Sequence, residues 1–281
     1  MARKNHRRDQ RPPELFQEHY LIERELADKL RQASREERSH LYASLYDELF
    51  RRVPHHPQLT QKADPKERKK QISDHLNFLG RFLAKETIFM EIGPGDCALS
   101  LEVSKRVKQV YAVDVSAEIT KVGRYPENFQ LLLSDGRAIP LNPDSVQVAY
   151  SYHLMEHLHP DDALEQLQNI YQVLSAGGIY ICITPNRLNG PHDISMFFTR
   201  TAAGFHLKEY THTDLIGLFR SVGFSKFKTY VRVKGFYFRF PLALIRGCEA
   251  ILAILPYPLR KPLVQNGFFR IFLAVHLVGI K

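Results

Sequence analysis

The sequence predicts a doubly wound α/β fold, with a seven-stranded and mostly parallel sheet. Short apolar runs alternate with helical segments from residue 87 to residue 184, which is typical of stacked βαβ units. The turn Gly93-Pro94-Gly95 follows the first run, and the second run ends at the acidic residue Asp114. A strand, a glycine turn, a helix, a second strand and a terminal acid, in this order, are typical of sheets that bind a nucleoside-containing cofactor.

The first 65 residues have a helical pattern and are predicted to form an N-terminal helical cap. Apolar residues recur at helical spacing from Leu15 to Gln32, and Ser34-Arg35-Glu36-Glu37 has the form of a capping box that starts a second helix. A charged linker, residues 61–70, leads to a third helix that includes Leu76. We expect this third helix to pack on the sheet of the main domain, residues 66–281.

The predicted strands are short apolar runs, and most of them are separated by predicted helices. The strands are expected at Thr87–Ile92, Gln109–Asp114, Phe129–Leu133, Val146–Ser151, Gly178–Thr184 and Lys226–Val233, with a closing strand in Phe269–Ile280. The helices are expected at Ala98–Val107, Ala117–Val122, Asp161–Leu174 and Thr213–Val222. Residues 233–268 are then predicted to be a helical insertion before the last strand.

Positive charge is concentrated near the C-terminus of the chain. The net charge is +9, and the segment from Lys226 to Lys281 has ten Lys or Arg residues against the single acid Glu249. Because this segment is also rich in Phe, Leu and Ile, it favours an anionic membrane surface or an acidic, lipophilic acceptor over nucleic acid. A basic surface that serves only solubility is the alternative. Charges and prolines interrupt the segment too often for a membrane span.

Cysteine content and the N-terminal residues indicate a cytoplasmic protein. Cys97, Cys182 and Cys248 are too few and too scattered for a disulfide framework or a metal cluster, so we expect small buried residues in a reducing compartment. The basic residues 1–11 lead into no apolar core and do not resemble a secretory signal. The predicted location is therefore the cytoplasm, with peripheral association if the basic segment binds a membrane.

Acidic side chains around the glycine turn indicate which cofactor binds. Gly93 and Gly95 would let a ligand approach the backbone, and Asp114 could accept the hydroxyl protons of a ribose. A dinucleotide would place its pyrophosphate at the helix start, where Glu91 and Asp96 would repel it. The same carboxylates would attract the ammonium and sulfonium groups of S-adenosyl-L-methionine, which is therefore the predicted cofactor. An ordinary turn with a solvated Asp114 is the alternative.

Five segments together resemble the class I S-adenosylmethionine-dependent methyltransferases. They are Glu91-Ile92-Gly93-Pro94-Gly95, Val113-Asp114-Val115-Ser116, Ser134-Asp135-Gly136, Ser151-Tyr152-His153-Leu154-Met155-Glu156-His157-Leu158 and Leu174-Ser175-Ala176-Gly177-Gly178. The resemblance covers about residues 85–235 and implies a Rossmann-like methyltransferase fold. The cap and the insertion lie outside it, so it implies the reaction but not the acceptor.

The same resemblance implies roles for individual residues in cofactor binding. Gly93 and Gly95 would border the methionine part, and Asp114, followed by Val115, would hold the ribose. Asp135 and Gly136 would face the adenine. Glu91 would be an acid beside the cofactor, and Ser151 would lie at the end of the fourth strand near the methionine.

Two histidines after the fourth strand are candidates for proton transfer. Methyl transfer is an in-line displacement, and a base is needed only if the acceptor loses a proton, as a hydroxyl does. His153 and His157 would share a face if this stretch is helical. We predict His157 as the base, with Glu156 or His153 to orient it, and a purely structural role is the alternative. The resemblance explains this crowding, together with His159, without a metal, so no metal site is predicted.

A loop after the fifth strand is expected near the acceptor. Arg187, His192, His206 and Tyr210 could line the acceptor pocket, and a loop held only by Asn and Asp turns is the alternative. The predicted enzyme methylates the oxygen of a small-molecule or lipid-linked acceptor. A nucleic-acid (RNA) methyltransferase and a non-catalytic cofactor-binding module are the alternatives. The first of these is disfavoured because no Asn-Pro-Pro-Tyr-like signature follows the fourth strand.

Overall fold

A central sheet of eight strands forms the middle layer of the protein. The computed structural model describes residues 11–57, 59, 65–116 and 124–281. The strands are β1 (Ile88–Ile92), β2 (Gln109–Asp114), β3 (Phe129–Leu133), β4 (Val146–Tyr152), β5 (Leu174–Thr184), β6 (Lys226–Val233), β7 (Phe236–Phe240) and β8 (Val275–Ile280). Their order in the sheet is β3-β2-β1-β4-β5-β8-β6-β7.

The order of strands along the sheet reverses between β1 and β4. The chain adds β2 and β3 on one side of β1 and then adds β4 and β5 on its other side. The five strands from β3 to β5 pair in parallel, while β8 is antiparallel to both β5 and β6, and β7 is antiparallel to β6. Ile92 pairs with Ser151, so the carboxyl ends of β1 and β4 lie side by side. In doubly wound sheets, ligands bind in the crevice at this reversal of strand order.

Helices cover both faces of the sheet. They are α1 (Pro13–Gln32), α2 (Arg35–Arg52), α3 (Pro65–Leu79), α4 (Ala98–Ser104), α5 (Pro160–Val173), α6 (His212–Ser221), α7 (Leu242–Ile254), α8 (Tyr257–Gln265) and α9 (Gly267–Leu273). Short 3-10 turns lie at Met155–His157 and Ile194–Phe197. Within the ranges given above, none of the helices has the length and apolar character that crossing a bilayer requires.

Buried apolar side chains form one cluster on each side of the sheet. Leu26 of α1 and Leu45 of α2 share a cluster with Met90 of β1. Phe78 of α3 belongs to a second cluster with Phe89, the neighbour of Met90. Because successive residues of a strand face opposite sides, α1 and α2 lie on one face of the sheet and α3 lies on the other. That residues 1–65 are a separate cap stays a prediction.

The predicted fold class is confirmed, as are several element boundaries. The bounds of β2, β3 and β6 coincide with the prediction. The capping box at the start of α2 is present, since the Ser34 hydroxyl accepts a hydrogen bond from the backbone N–H of Glu37. The predicted helix at Ala117–Val122 lies outside the described residues.

The predicted count of seven strands is wrong, because part of the expected helical insertion forms β7. Phe236 and Phe238 are exposed along this strand, whereas Tyr237 between them is buried and stacks on Phe78 at 4.3 Å. The predicted closing strand is also too long. Asn266 caps a helix by accepting a hydrogen bond from the N–H of Phe268, so residues 267–273 form α9 before β8 begins.

Candidate active site

The turn after β1 exposes bare backbone to a cleft. Gly93 and Gly95 have positive φ angles of 69° and 57°, which L-residues with side chains adopt at a cost. A Cβ at Gly93 would lie 3.1 Å from the Leu154 side chain, whereas no described atom lies within 4 Å of that position at Gly95. Gly95 therefore opens directly onto the cleft.

Three adjoining cavities make up this cleft. The first, of about 240 Å³, is lined by Gly93, Gly95, Asp114, Val115, Ser134, Gly136, Tyr42, Tyr46, Phe50, Gln166, His153 and His157, among others. The second, of about 460 Å³, is lined by Glu91, Asp96, Arg68, His75 and Tyr152 together with Gly93, Gly95, His153 and His157. The third, of about 520 Å³, is lined by residues of α3, β4, α9 and the loop after β5. His153 lines all three.

Glu91 is a buried acid on the wall of the second cavity. The Ser100 hydroxyl donates a hydrogen bond to its carboxylate. Burial, with help from the negative charges of Asp96 and Asp114, raises the pKa of Glu91 to about 7. Glu91 is thus close to half ionised at neutral pH in the free protein, and a cation in the cavity would favour its ionised form.

The second carboxylate of the predicted pair already has a cationic partner. Asp96 forms an ion pair with Arg68 of α3 at 2.7 Å, and it also accepts a hydrogen bond from the N–H of Ala98 at the start of α4. With Asp96 paired and Glu91 partly protonated, the second cavity is less negative than the sequence indicated. The charge argument that selected the cofactor therefore depends mainly on Glu91.

Asp114 and Asp135 end up in different surroundings. Asp114 lines the first cavity at the end of β2, where its Oδ1 accepts a hydrogen bond from the N–H of Ser116 at 3.0 Å. Asp135 instead accepts hydrogen bonds from the N–H groups of Arg137 and Ala138 and pairs with the Arg137 guanidinium at 2.7 Å. Burial opposes ionisation of Asp135, but these contacts hold its pKa at about 2. Its carboxylate therefore stabilises the turn, while the neighbouring backbone faces the cavity.

Ser151, predicted to lie near the methionine, points into the core. Its side chain is fully buried, and its hydroxyl lies 2.7 Å from the Tyr180 hydroxyl. The next two residues, Tyr152 and His153, line the cleft in its place. Side chains alternate along a strand, so the cleft-facing position is one residue further along β4 than the sequence prediction.

His153 and Glu156 form a hydrogen-bonded pair at the junction of the cavities. Nδ1 of His153 lies 2.8 Å from Oε1 of Glu156, and the Thr184 hydroxyl donates to Oε2 of the same carboxylate at 2.8 Å. Burial alone would raise the pKa of Glu156, but the hydrogen bond and charge of His153 lower it to about 2. An ionised Glu156 thus holds the imidazole through Nδ1 and leaves Nε2 available to a ligand.

His157, the predicted base, has a different environment. Its Nδ1 lies 2.8 Å from the Tyr46 hydroxyl and 3.0 Å from the carbonyl oxygen of Phe205. Burial, with the nearby His206, lowers its pKa to about 4, so it is neutral at pH 7. The expected helical face is wrong, because His153 has a φ of 53° and only one 3-10 turn follows. The predicted orienting residue Glu156 is bonded to His153 rather than to His157.

The amino-acid sequence of residues 90–182 matches the family model of the methyltransferase domain. This part of the chain is a methyltransferase domain, in agreement with the predicted resemblance to the class I S-adenosylmethionine-dependent methyltransferases. The predicted family, enzyme class and cofactor are thereby confirmed. A search of proteins with curated functions gave no significant match.

Solved structures show the same fold at low sequence identity. The phosphoethanolamine N-methyltransferase 1 of Haemonchus contortus has a TM-score of 0.54 at 15% identity, covering 88% of this chain and 50% of that one. A Haloferax volcanii protein in complex with the methyltransferase activator Trm112 has a TM-score of 0.52 at 17% identity, over 77% and 94% of the two chains. An S-adenosylmethionine-dependent methyltransferase of Archaeoglobus fulgidus has a TM-score of 0.51 at 15% identity, over 75% and 94%.

The first and second cavities of the methyltransferase fit its cofactor. They meet at the bare backbone of Gly93 and Gly95, with Asp114 on one side and Glu91 on the other. In the first cavity, this arrangement offers a hydrogen-bond acceptor for ribose hydroxyls. In the second cavity, it offers a carboxylate for cationic groups. The individual contacts assigned to Glu91, Val115, Asp135 and the other cofactor residues stay predictions.

The N-terminal helix α2 supplies a wall of the first cavity that the sequence prediction missed. Tyr42, Tyr46 and Phe50 line it at intervals of four residues, which is the spacing of one helix face. Gln166 of α5 donates from Nε2 to the carbonyl oxygen of Gly136 at 2.6 Å, and its buried Oε1 finds no partner among the described residues. The spacing of these aromatic residues is the sequence feature that could have predicted this wall.

The four predicted acceptor residues are dispersed. His192 lines the third cavity, and its Nε2 lies 3.0 Å from Asn189 Oδ1. Arg187 forms an ion pair with Asp214 at 2.9 Å on the surface. His206 pairs with Glu209 behind His157, and Tyr210 is buried. Of these four residues, only His192 lines one of the three cavities, and the acceptor roles stay predictions.

The third cavity contains uncharged imidazoles and two arginines. Burial lowers the pKa of His75 to about 4 and that of His276 to about 3, so both are neutral at pH 7. Arg232 forms an ion pair with Asp74. The guanidinium of Arg270 in α9 also lines this cavity and makes no hydrogen bond or ion pair with any residue that the structure describes. An anionic group would therefore fit this cavity better than a cationic one.

Two groups of side chains place possible metal ligands close together. Glu156, His157 and His206 form one, and His19, Glu23 and His56 form the other, with ligand atoms within 4.8 Å of one another in each. Hydrogen bonds and ion pairs within the chain account for several of these contacts, including that of His19 with Glu23 at 2.8 Å. That the methyltransferase uses no metal stays a prediction.

Proposed function

We propose that this methyltransferase methylates an oxygen atom of a small-molecule or lipid-linked acceptor bound in the third cavity. The observation that supports this proposal is the position of His153. Its side chain lines the two cavities assigned to the cofactor as well as the third cavity. A base at this junction can reach an acceptor that also faces the cofactor.

The bonding of His153 supports a hydroxyl acceptor. A hydroxyl must lose its proton as the new C–O bond forms, and Nε2 of His153 can accept that proton. Glu156 is ionised and bonded to Nδ1, so it would stabilise the resulting imidazolium and fix the orientation of the ring. An amine that binds as its free base would not need this pair during methyl transfer.

Other residues of the site would bind the cofactor, exclude water and position the acceptor. The glycine turn, Asp114 and Glu91 would hold the cofactor, which would supply a methyl group activated by its sulfonium charge. Tyr42, Tyr46 and Phe50 line the first cavity and would exclude water from it when the cofactor is bound. Arg270 and His192 would position the acceptor in the third cavity.

The acceptor atom is tested by labelling. Purified enzyme is incubated with a cell extract and S-adenosylmethionine that carries a heavy methyl group, and the product is identified by mass and fragmentation. An O-methyl product supports the proposal. Label on nitrogen or carbon would contradict it, label in RNA would support the nucleic-acid alternative, and no labelled product from an enzyme that binds the cofactor would support the non-catalytic alternative.

The role of His153 as the base is tested by measuring the activity of variants once the product has been identified. We expect His153→Asn to lower kcat by about 10²–10⁴-fold, which is the usual contribution of a positioned base. Binding of S-adenosylhomocysteine should be unchanged. His40→Asn, at an exposed position of α2, is the matched control and should keep wild-type activity. Full activity of His153→Asn would exclude it as the base.

A further inference from the structure

The insertion, residues 233–268, has an unusually apolar outer surface. It contains 36 of the 281 residues of the chain. Of the fifteen exposed large apolar side chains among the described residues, nine belong to it. They are Val233, Phe236, Phe238, Leu244, Ile251, Ile254, Leu259, Leu263 and Phe268. Exposed apolar residues concentrated in one segment indicate an interaction surface.

Helix α7 has apolar residues on an exposed face as well as on its buried face. Ile245 and Leu252 are buried, and Leu252 belongs to a cluster with residues of α8 and α9. At about 100° per residue, Ile254 lies opposite this buried pair, whereas Leu244 and Ile251 lie about a quarter to a third of a turn away from it. Leu244, Ile251 and Ile254 are 61%, 62% and 81% exposed. Folding of the chain thus accounts for the buried apolar face of α7 but not for the exposed one.

Strand β7 presents two further aromatic side chains. It is the last strand of the sheet order, and Phe236 and Phe238 are 68% and 54% exposed. Exposed apolar residues on an edge strand favour association with another surface. The outer surface of the insertion therefore includes both a strand and a helix.

The charges of the insertion are all positive at its surface. Its basic residues are Lys234, Arg239, Arg246, Arg260 and Lys261, and its one acid is Glu249. Glu249 is buried, where it accepts hydrogen bonds from the N–H of His212 at 2.8 Å and from the Asn186 amide at 2.9 Å. The only negative charge is thus used to attach α7 to the start of α6 and does not offset the surface cations.

A surface that is both apolar and cationic matches an anionic lipid bilayer. Apolar side chains enter the interface while Lys and Arg contact the anionic headgroups. A second copy of this chain fits less well, because a symmetric contact through the same surface would bring two sets of cations together. Nucleic acid would pair with the cations but would leave most of the apolar side chains exposed to water.

We propose that the outer surface of the insertion docks on an anionic bilayer and that the acceptor enters the third cavity from it. Docking stands by itself, whereas the origin of the acceptor rests on the proposed function. Helix α9 connects the outer surface of the insertion with the third cavity. Gly267, Arg270 and Ile271 line the third cavity, while Phe268 is 62% exposed. Arg270 is then placed to contact the anionic headgroup of a lipid-linked acceptor.

Docking is tested by co-flotation of the full-length enzyme with phosphatidylcholine vesicles that contain or lack about a third phosphatidylglycerol. We expect flotation with the anionic vesicles at low salt and weaker flotation at high salt, where charge attraction is screened. The double variant Ile251→Ser/Ile254→Ser should bind at least about tenfold more weakly, because two apolar side chains are withdrawn from the interface.

Leu21→Ser is the matched control, since Leu21 is 54% exposed on α1 and is not part of the insertion. It should float like the wild type, and every variant should bind S-adenosylhomocysteine normally. Docking is overturned if the wild type stays in the aqueous fraction at low salt, or if the double variant floats as well as the wild type. Sedimentation velocity distinguishes self-association: a wild-type dimer that the double variant abolishes would assign the surface to a second copy.

The origin of the acceptor has a separate readout. Products labelled by the enzyme in the presence of cell membranes are partitioned between organic solvent and water. Label in the organic phase that the double variant lowers about tenfold supports delivery from the bilayer. An O-methyl product found only in the aqueous phase would overturn this part while leaving the proposed function intact.

Discussion

Tyr42 of α2 lies against Gly136 in the loop after β3, so closely that a Cβ at Gly136 would be 3.1 Å from Tyr42 Cδ2. The Tyr42 hydroxyl donates to Asp162 of α5 at 2.6 Å, and Arg38, one turn earlier in α2, pairs with the same carboxylate through two hydrogen bonds of 2.6 and 2.8 Å. The N-terminal helices are therefore attached to the cofactor cleft by a buried charge pair.

Asp162→Ala should be strongly destabilising, because it leaves the Arg38 guanidinium buried without its partner. Breaking a buried pair in this way costs about 3–5 kcal/mol in the free energy of unfolding, measured by urea denaturation. Cofactor affinity should also fall, since Tyr42 loses its anchor. Arg35→Ala is the control, because Arg35 pairs with Glu165 at an exposed position, and its urea midpoint should remain near that of the wild type. Equal midpoints for the two variants would show that the buried pair does not hold α2.

Gly95→Ala should weaken cofactor binding. The φ of 57° at Gly95 costs a residue with a side chain about 1–2 kcal/mol, and the added methyl group would occupy the cleft. We expect S-adenosylhomocysteine affinity to fall on the order of tenfold or more in calorimetry. Gly217→Ala, on the exposed face of α6, should instead raise the free energy of unfolding by about 1 kcal/mol and leave affinity unchanged. Normal binding by Gly95→Ala would place the cofactor elsewhere.

Local signals in the sequence located the sheet and the glycine turn, because hydrophobic alternation and turn chemistry involve neighbouring residues. The prediction missed contacts between distant parts of the chain. The Tyr46 hydroxyl reaches His157 across 111 residues, and Arg68 reaches Asp96 from a helix on the opposite face to α2. The inward direction of the Ser151 side chain was missed for a different reason, since a shift of one position along β4 reverses the direction of a side chain.

The His153–Glu156 pair shows both what the sequence predicted and what it missed. The segment that contains it was recognised from the sequence, yet which histidine the carboxylate binds depends on a backbone bend at His153 that no helical spacing rule anticipates. The third cavity was the least predictable part. Its walls come from α3, β4, β7, α9 and the loop after β5, which only the folded sheet brings together.

Asp114→Ala tests the ribose contact at the end of β2. Loss of a charge-assisted hydrogen bond should weaken S-adenosylhomocysteine binding by about 1–3 kcal/mol in calorimetry. The variant also loses the bond from the N–H of Ser116, so thermal unfolding should be measured alongside. Asp161→Ala, whose side chain is 82% exposed, is the control and should bind normally. Unchanged affinity in a folded Asp114→Ala protein would contradict the ribose assignment.

Cofactor binding should depend on pH through Glu91. Its pKa in the folded free protein is about 7, raised by burial from the ordinary value of 4.5. A cationic ligand beside it favours the ionised form, so affinity for S-adenosylmethionine should rise between about pH 6 and pH 8 and then level off, with proton release on binding near pH 7. Calorimetry in buffers of different ionisation enthalpy measures that release. Glu91→Gln should bind more weakly at pH 8 and show no such dependence.

The stability of the free enzyme should change in the opposite direction over the same range. A carboxyl group whose folded pKa is raised stabilises the fold while it is protonated, and that contribution is lost as pH rises from 4.5 through 7. The difference of 2.5 pKa units corresponds to about 3 kcal/mol. Glu91→Gln should therefore be more stable than the wild type at pH 8 and similar to it at pH 4.5, in urea denaturation without cofactor. A wild type whose cofactor affinity and stability are both flat from pH 6 to pH 8 would show that Glu91 is already ionised, and the cation preference of the second cavity would then need another source.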